Sequence, residues 1–351
     1  MIKIAVDCRM IGSGGIGSYI SELIPYFLKE NECLLIGTHE QCMKYLRLEN
    51  VEFCYCDVKP FSMKELFSFP PECLNKINQY DVYYSPYCNI PGGITIPVFT
   101  TIHDIVFLDV PGIASGLGTF VRKLFYRRAA SSSKILFTVS EFSKERILKK
   151  LHPSCPVVVT YNAAPAYLSE PFENEPEKTN TILFVGNIKK HKGLKMLLDA
   201  FESAVSKGLS SQLIIVGNKN NFRTGDEETA KRLMSASPDK IRFTGKISDE
   251  ELKKLYAQAK LLVEPSFYEG FGMPPLEAMT VGTPVLLSDI PVFKEIYSKY
   301  PVTFFKTGDA NDLESKITSL CASSAQKITV PAVYSFEKTA EIILGSIRRC
   351  L

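Results

Sequence analysis

The chain alternates apolar runs of three to six residues with longer stretches whose apolar positions recur at helical spacing, almost from end to end. Short apolar runs bounded by polar turns read as strands, and the stretches between them are long enough for crossover helices. Repeated strand–helix units of this kind close as parallel sheets with helices on both faces. The runs 2–6, 33–38, 51–56, 82–85, 98–102, 135–139 and 157–160 predict strands, and 17–29, 41–48, 62–79, 119–130 and 140–151 predict helices between them. The segment 163–180 carries three Pro and several acids without an apolar period, and reads as an interdomain linker. Beyond it the alternation restarts. Strands are expected at 182–185, 213–216, 241–243, 261–264, 285–287 and 302–305, and helices at 194–206, 228–236, 249–259, 276–281, 292–297 and 310–319. The last 18 residues form one more amphipathic helix with a basic tail. Two Rossmann-like halves are therefore expected, with ligands outside the carboxyl ends of the strands and a natural site in the cleft between the halves.

A chain of 351 residues is long for a single core, which agrees with two domains. With 45% apolar and 23% charged residues it reads as globular, and a net charge of +3 makes no case for nucleic acid. No uncharged apolar run reaches the roughly 18 residues of a membrane span, and Asp7 interrupts what a secretory leader would need, so a cytoplasmic protein is expected. Eight of the ten Cys fall within the first 155 residues, several inside strand-like runs, with no C-x-x-C pair. Reduced core thiols are expected, and no zinc site. The polar stretch 219–228 reads as a surface loop. No D-x-D, P-loop or G-x-S-x-G sequence occurs.

The most informative stretch is 265–288, PSFYEGFGMPPLEAMTVGTPVLLS, which leaves a strand at its carboxyl edge. Gly270 and Gly272 let the backbone approach a ligand, and Pro274 and Pro275 suit the first helical positions. The helix start that follows is a seat for phosphate. Glu269 and Glu277 flank it; carboxylates accept from sugar hydroxyls but make poor direct phosphate ligands. The plain alternative is a helix-dipole role for Glu277 and a solvated charge at Glu269.

Glu269-x7-Glu277 in this setting, followed by GTPV, resembles the E-x7-E signature of retaining glycosyltransferases with the GT-B fold, family 4 (group 1), of the bacterial polysaccharide-assembly type. The other landmarks fall in the expected order, so the resemblance covers essentially the whole chain. It implies an α/β protein with two Rossmann-like domains facing each other across a cleft. Residues 1–165 would bind acceptor, 166–332 would bind the nucleotide-sugar, and a C-terminal helix, 333–351, would cross back to the first domain. In ILFVGNIKKHKGLKMLLDAF, Lys192 before Gly193 matches the family's pyrophosphate lysine, which offsets charge on the leaving diphosphate. Many relatives carry an Arg where this chain has Asn187 or His191. In TIHD, His103 matches a His that contacts and positions the donor sugar, and Asp104 would orient the imidazole or cap a turn. Gly14 and Gly15 in GSGGIGSYI match a flexible loop that approaches donor phosphate or acceptor. Read literally, Gly12, Gly14 and Gly17 spell a dinucleotide fingerprint, although the expected strand ends several residues too early for it. Ser140 is expected to cap the helix that follows TVS.

By the same resemblance, Glu277 would hold the ribose hydroxyls of a UDP- or GDP-sugar. Glu269, with Gly270, Phe271, Gly272 and Met273, would hold the sugar. No cofactor and no metal are expected. The acceptor would be a glycan or a lipid-diphosphate-linked sugar. Residues 119–150 carry nine Lys/Arg against two acids, which suits a peripheral contact with the inner face of the plasma membrane. Helical spacing there places Phe120, Val121, Leu124 and Phe125 on one face and Arg122, Lys123 and Arg127 opposite, so a half-buried helix with a solvated face is the plain reading. Three further readings stay open: a sugar-nucleotide epimerase on the same fold, an NAD-linked oxidoreductase using the glycine loop, and a non-catalytic partner subunit that binds the sugar-nucleotide without turning it over.

Overall fold

A computed structural model describes residues 1–113, 115–217, 227–323, 328–330 and 332–351. The chain divides into two compact units. One comprises Met1–Asp109, Ser115–Ala163 and Tyr334–Leu351; the other comprises Ala164–Val333 with the short Val110–Ala114 segment.

The first unit runs β1 (Lys3–Asp7), α1 (Gly14–Leu28), β2 (Glu32–Gly37), α2 (His39–Cys42), β3 (Val51–Tyr55), α3 (Met63–Phe67), α4 (Pro71–Ile77), β4 (Val82–Ser85), β5 (Val98–Thr101), α5 (Val106–Asp109), α6 (Gly116–Ser132), β6 (Ser133–Thr138), α7 (Glu141–Leu151) and β7 (Val157–Val159). Its strands pair in parallel in the order β3-β2-β1-β4-β5-β6-β7. The second unit runs β8 (Thr181–Val185), α8 (Leu194–Ser206), β9 (Gln212–Val216), α9 (Glu227–Ser235), β10 (Ile241–Gly245), α10 (Asp249–Gln258), β11 (Leu261–Glu264), α11 (Met273–Thr280), β12 (Val285–Ser288), α12 (Pro291–Tyr297), β13 (Thr303–Phe305) and α13 (Ala310–Ala322). Its parallel order is β10-β9-β8-β11-β12-β13. The chain then returns to the first unit as α14 (Phe336–Arg348).

The central strands of both sheets are buried on both faces, which is why they read as near-continuous apolar runs. In the first unit, Ile4, Val6, Cys33, Leu35 and Phe137 join a core that also takes Tyr19, Leu23 and Phe27 of α1. That core is completed by Phe336, Ala340, Ile343 and Ile347 of α14. Thr339 anchors the helix by donating to the carbonyls of Thr160 and Tyr161, at 2.9 and 3.1 Å. In the second unit, Phe184, Leu197, Phe201, Ile215, Val263 and Leu286 form the core. All ten cysteines are free thiols, eight of them buried.

Several expectations need correcting. The helix expected over 62–79 is two helices, because Phe69 precedes Pro70 and is pushed out of the helical region. The helix expected over 41–48 is only α2, which starts earlier, at the Thr38–Gln41 capping box, and ends at Cys42. The inward face of α6 is Phe125, Tyr126, Ala129 and Ala130, while Leu117, Phe120 and Leu124 are exposed. Arg122, expected on the solvated face, stacks over the Phe107 ring at 3.7 Å. The expected linker is pinned to the second unit: Lys253 donates to the Glu170 carbonyl at 2.7 Å, and Lys178 donates to Ala259 and Thr283. The expected 219–228 loop lies largely outside the described residues.

Candidate functional site

Each sheet reverses its strand order once, between β1 and β4 in the first unit and between β8 and β11 in the second. The helices on either side of such a point lead away on opposite faces, which opens a crevice at the strand ends where ligands bind. In the second unit the sequence places Lys192 after β8 and Glu269 after β11, at that point.

The two loops are tied by backbone contacts. Gly193 has φ +69°, and a Cβ there would run into the Pro265 carbonyl, so only glycine lets the β8 loop lie this close. The Phe267 amide donates to the His191 carbonyl at 2.7 Å. Lys192 is thereby carried onto Glu269, and the two form an ion pair with both side chains largely buried, 17% and 11% exposed. The Lys192 ammonium and the Ser266 hydroxyl both meet Oε1 of Glu269, the latter at 2.7 Å. Ser266 Oγ also lies 2.9 Å from Oε1 of the fully buried Glu264.

The loop 270–272 leads into α11. Gly272 has φ +80°, and a side chain there would strike the Phe293 ring. Tyr297 donates to the Gly272 carbonyl and braces the turn. Met273, Pro274 and Pro275 open the helix, and the prolines leave the amides ahead of them as its leading donors. Glu277 is buried in α11 and accepts from Tyr256 of α10 at 2.6 Å. Burial pushes its carboxyl up to about 7. Thr283 of the GTPV sequence donates to the Tyr256 carbonyl at 2.6 Å and so holds that tyrosine in place. Asn187 is exposed just after β8. His191 is buried, and burial holds its imidazole down at about 4, so it is neutral and supplies no second cation beside Lys192.

The residues singled out in the first unit gather at their own sheet's carboxyl edge. His103 follows β5; its Nε2 lies 2.9 Å from the Pro86 carbonyl, which can only accept, so Nε2 carries the proton. Tyr19 of α1 meets the ring edge-on at 4.6 Å. Ser143, whose amide is capped by Ser140 at 3.0 Å, donates to the His103 carbonyl at 3.1 Å. Burial holds the His103 imidazole down at about 4, so it stays neutral. Asp104 accepts from the Val106 amide at 3.0 Å and caps α5, the turn-capping alternative. Gly14 and Gly15 are exposed at the start of α1, with open space around both. The dinucleotide reading is overturned. β1 ends at Asp7 and α1 begins only at Gly14, so no glycine stands at the strand end. Gly17 is needed for another reason: a Cβ there would lie 2.7 Å from the Gly12 nitrogen.

Sequence reasoning missed Glu264, Ser266 and Tyr256, which read as ordinary strand and helix positions. A carboxylate closing an otherwise apolar strand was the available signal for Glu264. It also missed a buried network at the end of β1. Arg9 pairs with Asp7 and Glu65, both at 2.6 Å, while Tyr83 donates to Asp7 at 2.6 Å and Asn89 to Glu65 at 2.7 Å.

Residues 169–329 match the family model described as glycosyl transferases group 1, so the second unit carries a group 1 glycosyltransferase domain. The O-antigen chain mannosyltransferase RfbU of Salmonella typhimurium is 34% identical over 211 residues, 58% of this chain and 56% of that protein. The O-antigen chain mannosyltransferase B of Escherichia coli is 26% identical over 249 residues, 67% and 62% of the two chains. The chain thus matches less than two thirds of the length of either relative. Among solved structures, a sucrose-phosphate synthase from Thermosynechococcus elongatus superposes with a TM-score of 0.76 at 18% identity, over 100% of this chain and 99% of that one. Anabaena HepE, solved with UDP and glucose, gives 0.69 at 17% identity over 99% and 95%. The fold is that of the GT-B glycosyltransferases. None of these relatives and neighbours is named as an epimerase or an oxidoreductase.

Proposed function

We propose that the chain is a retaining hexosyltransferase that moves a sugar, mannose in the first instance, from a nucleoside diphosphate to a hydroxyl of a growing surface glycan. The observation that carries this is the Lys192–Glu269 pair at the strand reversal of the second unit, beside the loop that leads to Glu277. A buried ammonium next to a glycine loop that opens a helix is suited to a departing diphosphate, and the flanking carboxylates are suited to hydroxyls rather than phosphate. Glu277 would take the ribose, and Glu269 with Gly270, Phe271, Gly272 and Met273 would take the sugar. On binding, Lys192 would exchange Glu269 for phosphate oxygen. The bond from the anomeric carbon to phosphate breaks, the acceptor oxygen bonds to that carbon, and its proton passes to the departing phosphate on the same face. His103, neutral and with its tautomer fixed, is a polar contact for the sugar, not a base. Lys192 and the amides supply the charge stabilisation, so no metal is required.

The relatives' names support mannose and O-antigen assembly, while HepE's UDP and glucose keep the nucleotide open between GDP and UDP. The acceptor is a glycan or lipid-diphosphate-linked sugar reached at the membrane. Exposed Leu117, Phe120 and Leu124 on α6, beside Lys123 and Arg127, support a peripheral contact with anionic lipid. No helix among the described residues is long and apolar enough to cross a membrane.

A thermal-shift screen of GDP-, UDP- and ADP-sugars with EDTA present tests the reading. One donor should stabilise the fold by about 2.7 kcal/mol at a hundredfold excess over Kd. No shift with any of them, or a shift that appears only on adding Mn²⁺, would refute it.

A further inference from the structure

Ser266 has one hydroxyl proton but two carboxyl neighbours, Oε1 of Glu264 at 2.9 Å and Oε1 of Glu269 at 2.7 Å. Glu269 is ion-paired with Lys192 and is therefore the ionised partner. Were Glu264 ionised as well, one of the two short oxygen contacts would have no proton in it. Glu264 is also completely buried, and its Oε2 finds no hydrogen-bond partner among the described residues. A bare charge there would be strongly unfavourable. The hydrogen-bond count closes in only one way: Glu264 donates to Ser266, and Ser266 donates to Glu269.

We propose that Glu264 is a positioning residue held as the neutral acid, whose proton, relayed through Ser266, fixes the direction in which the Glu269 carboxylate is presented to a donor sugar. This deepens the transferase reading and rests on it. Ser266 is itself anchored, since Ser288 donates to its carbonyl at 2.5 Å. The relay and Lys192 both engage Oε1 of Glu269, and Oε2 takes no hydrogen bond among the described residues. That oxygen is the one left for a sugar hydroxyl.

The groups acting on Glu264 are Lys192 after β8, Glu269, Glu277 of α11, Tyr256 of α10 and Tyr297 of α12. Burial pushes the Glu264 carboxyl up to about 8, Glu269 and Glu277 add to the rise, and Lys192 opposes it. Below that point the relay runs from acid to hydroxyl to carboxylate. Above it two carboxylates contend for one hydroxyl proton, and Glu269 loses its fixed orientation.

Two measurements on the full chain test this. Infrared difference spectra between about pH 6 and about pH 9 should show protonated-carboxyl intensity that disappears on alkalinisation, of which Glu264→Gln loses one part and keeps the part that belongs to Glu277. Equal intensity in wild type and Glu264→Gln overturns the proposal, whatever the protein's reaction. Turnover of GDP-mannose, or of whichever donor shifts the melting temperature, should fall as pH passes about 8 in the wild type. Glu264→Gln keeps an N–H for Ser266 but cannot ionise. It should hold near wild-type kcat at neutral pH and lose the alkaline decline. Glu264→Leu removes the relay and should lower kcat about tenfold to a hundredfold with little change in KM. An alkaline limb that persists in Glu264→Gln overturns the relay. Absence of binding by every nucleotide-sugar instead fails the transferase reading, and the infrared band still decides where the proton resides.

Discussion

Glu269 and Glu277 are both acidic and eight positions apart, yet their surroundings assign them different work. Glu269 faces a cation and a hydroxyl, whereas Glu277 is sunk into α11 against a phenol. Substituting Glu277 by Ala should therefore raise donor KM. Glu269→Ala should lower kcat by a larger factor, on the order of a hundredfold. Steady-state kinetics on both decides it, and wild-type constants in either would remove that residue from the site. Arg9 makes a second residue-scale case. It neutralises two carboxylates at once, both fully buried. Arg9→Met leaves Asp7 and Glu65 without their cation and should cost about 3–5 kcal/mol in urea unfolding. A loss below about 1 kcal/mol would mean that the network relaxes or takes up protons.

At the scale of elements, α6 shows how a helix can satisfy its core with one face and leave a second apolar stripe outside. Phe125, Tyr126, Ala129 and Ala130 point inward, and Leu117, Phe120 and Leu124 are left in solvent, 75%, 58% and 47% exposed. An exposed apolar stripe beside basic side chains binds anionic bilayers by insertion and charge together. Co-sedimentation with vesicles rich in anionic lipid should fall severalfold in a Leu117→Ser, Phe120→Ser, Leu124→Ser variant. Unchanged binding by that variant would remove α6 as the contact. α14 makes the opposite point. Its apolar face finds a partner in α1, and the Thr339 hydroxyl satisfies carbonyls beyond β7, so the last helix of the chain completes its first core.

For the whole molecule, four buried titratable groups pull stability in opposite directions with pH. Glu264 and Glu277 are held up at about 8 and about 7, so the native state keeps protons that the unfolded chain releases near the ordinary carboxylate value of about 4.3. Their contribution is full below that value and is lost as pH climbs through about 7 to 8. His103 and His191 are held down at about 4, so their contribution is present above about 6.5 and is lost as pH falls towards 4. The two trends oppose each other between about pH 4.5 and 6.5, and only the carboxyl term remains above. The melting temperature should therefore change little over the lower window and decline from about pH 6.5 to about pH 8. Glu264→Gln should flatten part of the decline. A melting temperature that rises over that upper window would contradict these assignments.

The strands were legible because parallel strands buried on both faces must be apolar throughout, as in Leu34–Ile36 or Leu213–Val216. Lys192, Glu269 and Glu277 were legible because they sit at strand–loop–helix junctions that carry glycine and proline. The ends and faces of the short helices were less so, since α2, α5 and the break at Pro70 depend on caps and turns that a periodic pattern does not record. The face of α6 was misjudged because a helix with two apolar stripes gives a weak period, and only its neighbours decide which stripe is buried. Sequence alone determined the strand–helix alternation, the order of the elements and the kinds of side chain near the strand ends, all of which follow from local period and composition. Tertiary structure alone decided that Gly193 meets the Pro265 carbonyl, that Lys192 reaches Glu269, and that one serine hydroxyl lies between two carboxyls. Those are contacts between strands far apart along the chain, and a hydrogen bond is set by distance and direction that no spacing in sequence specifies.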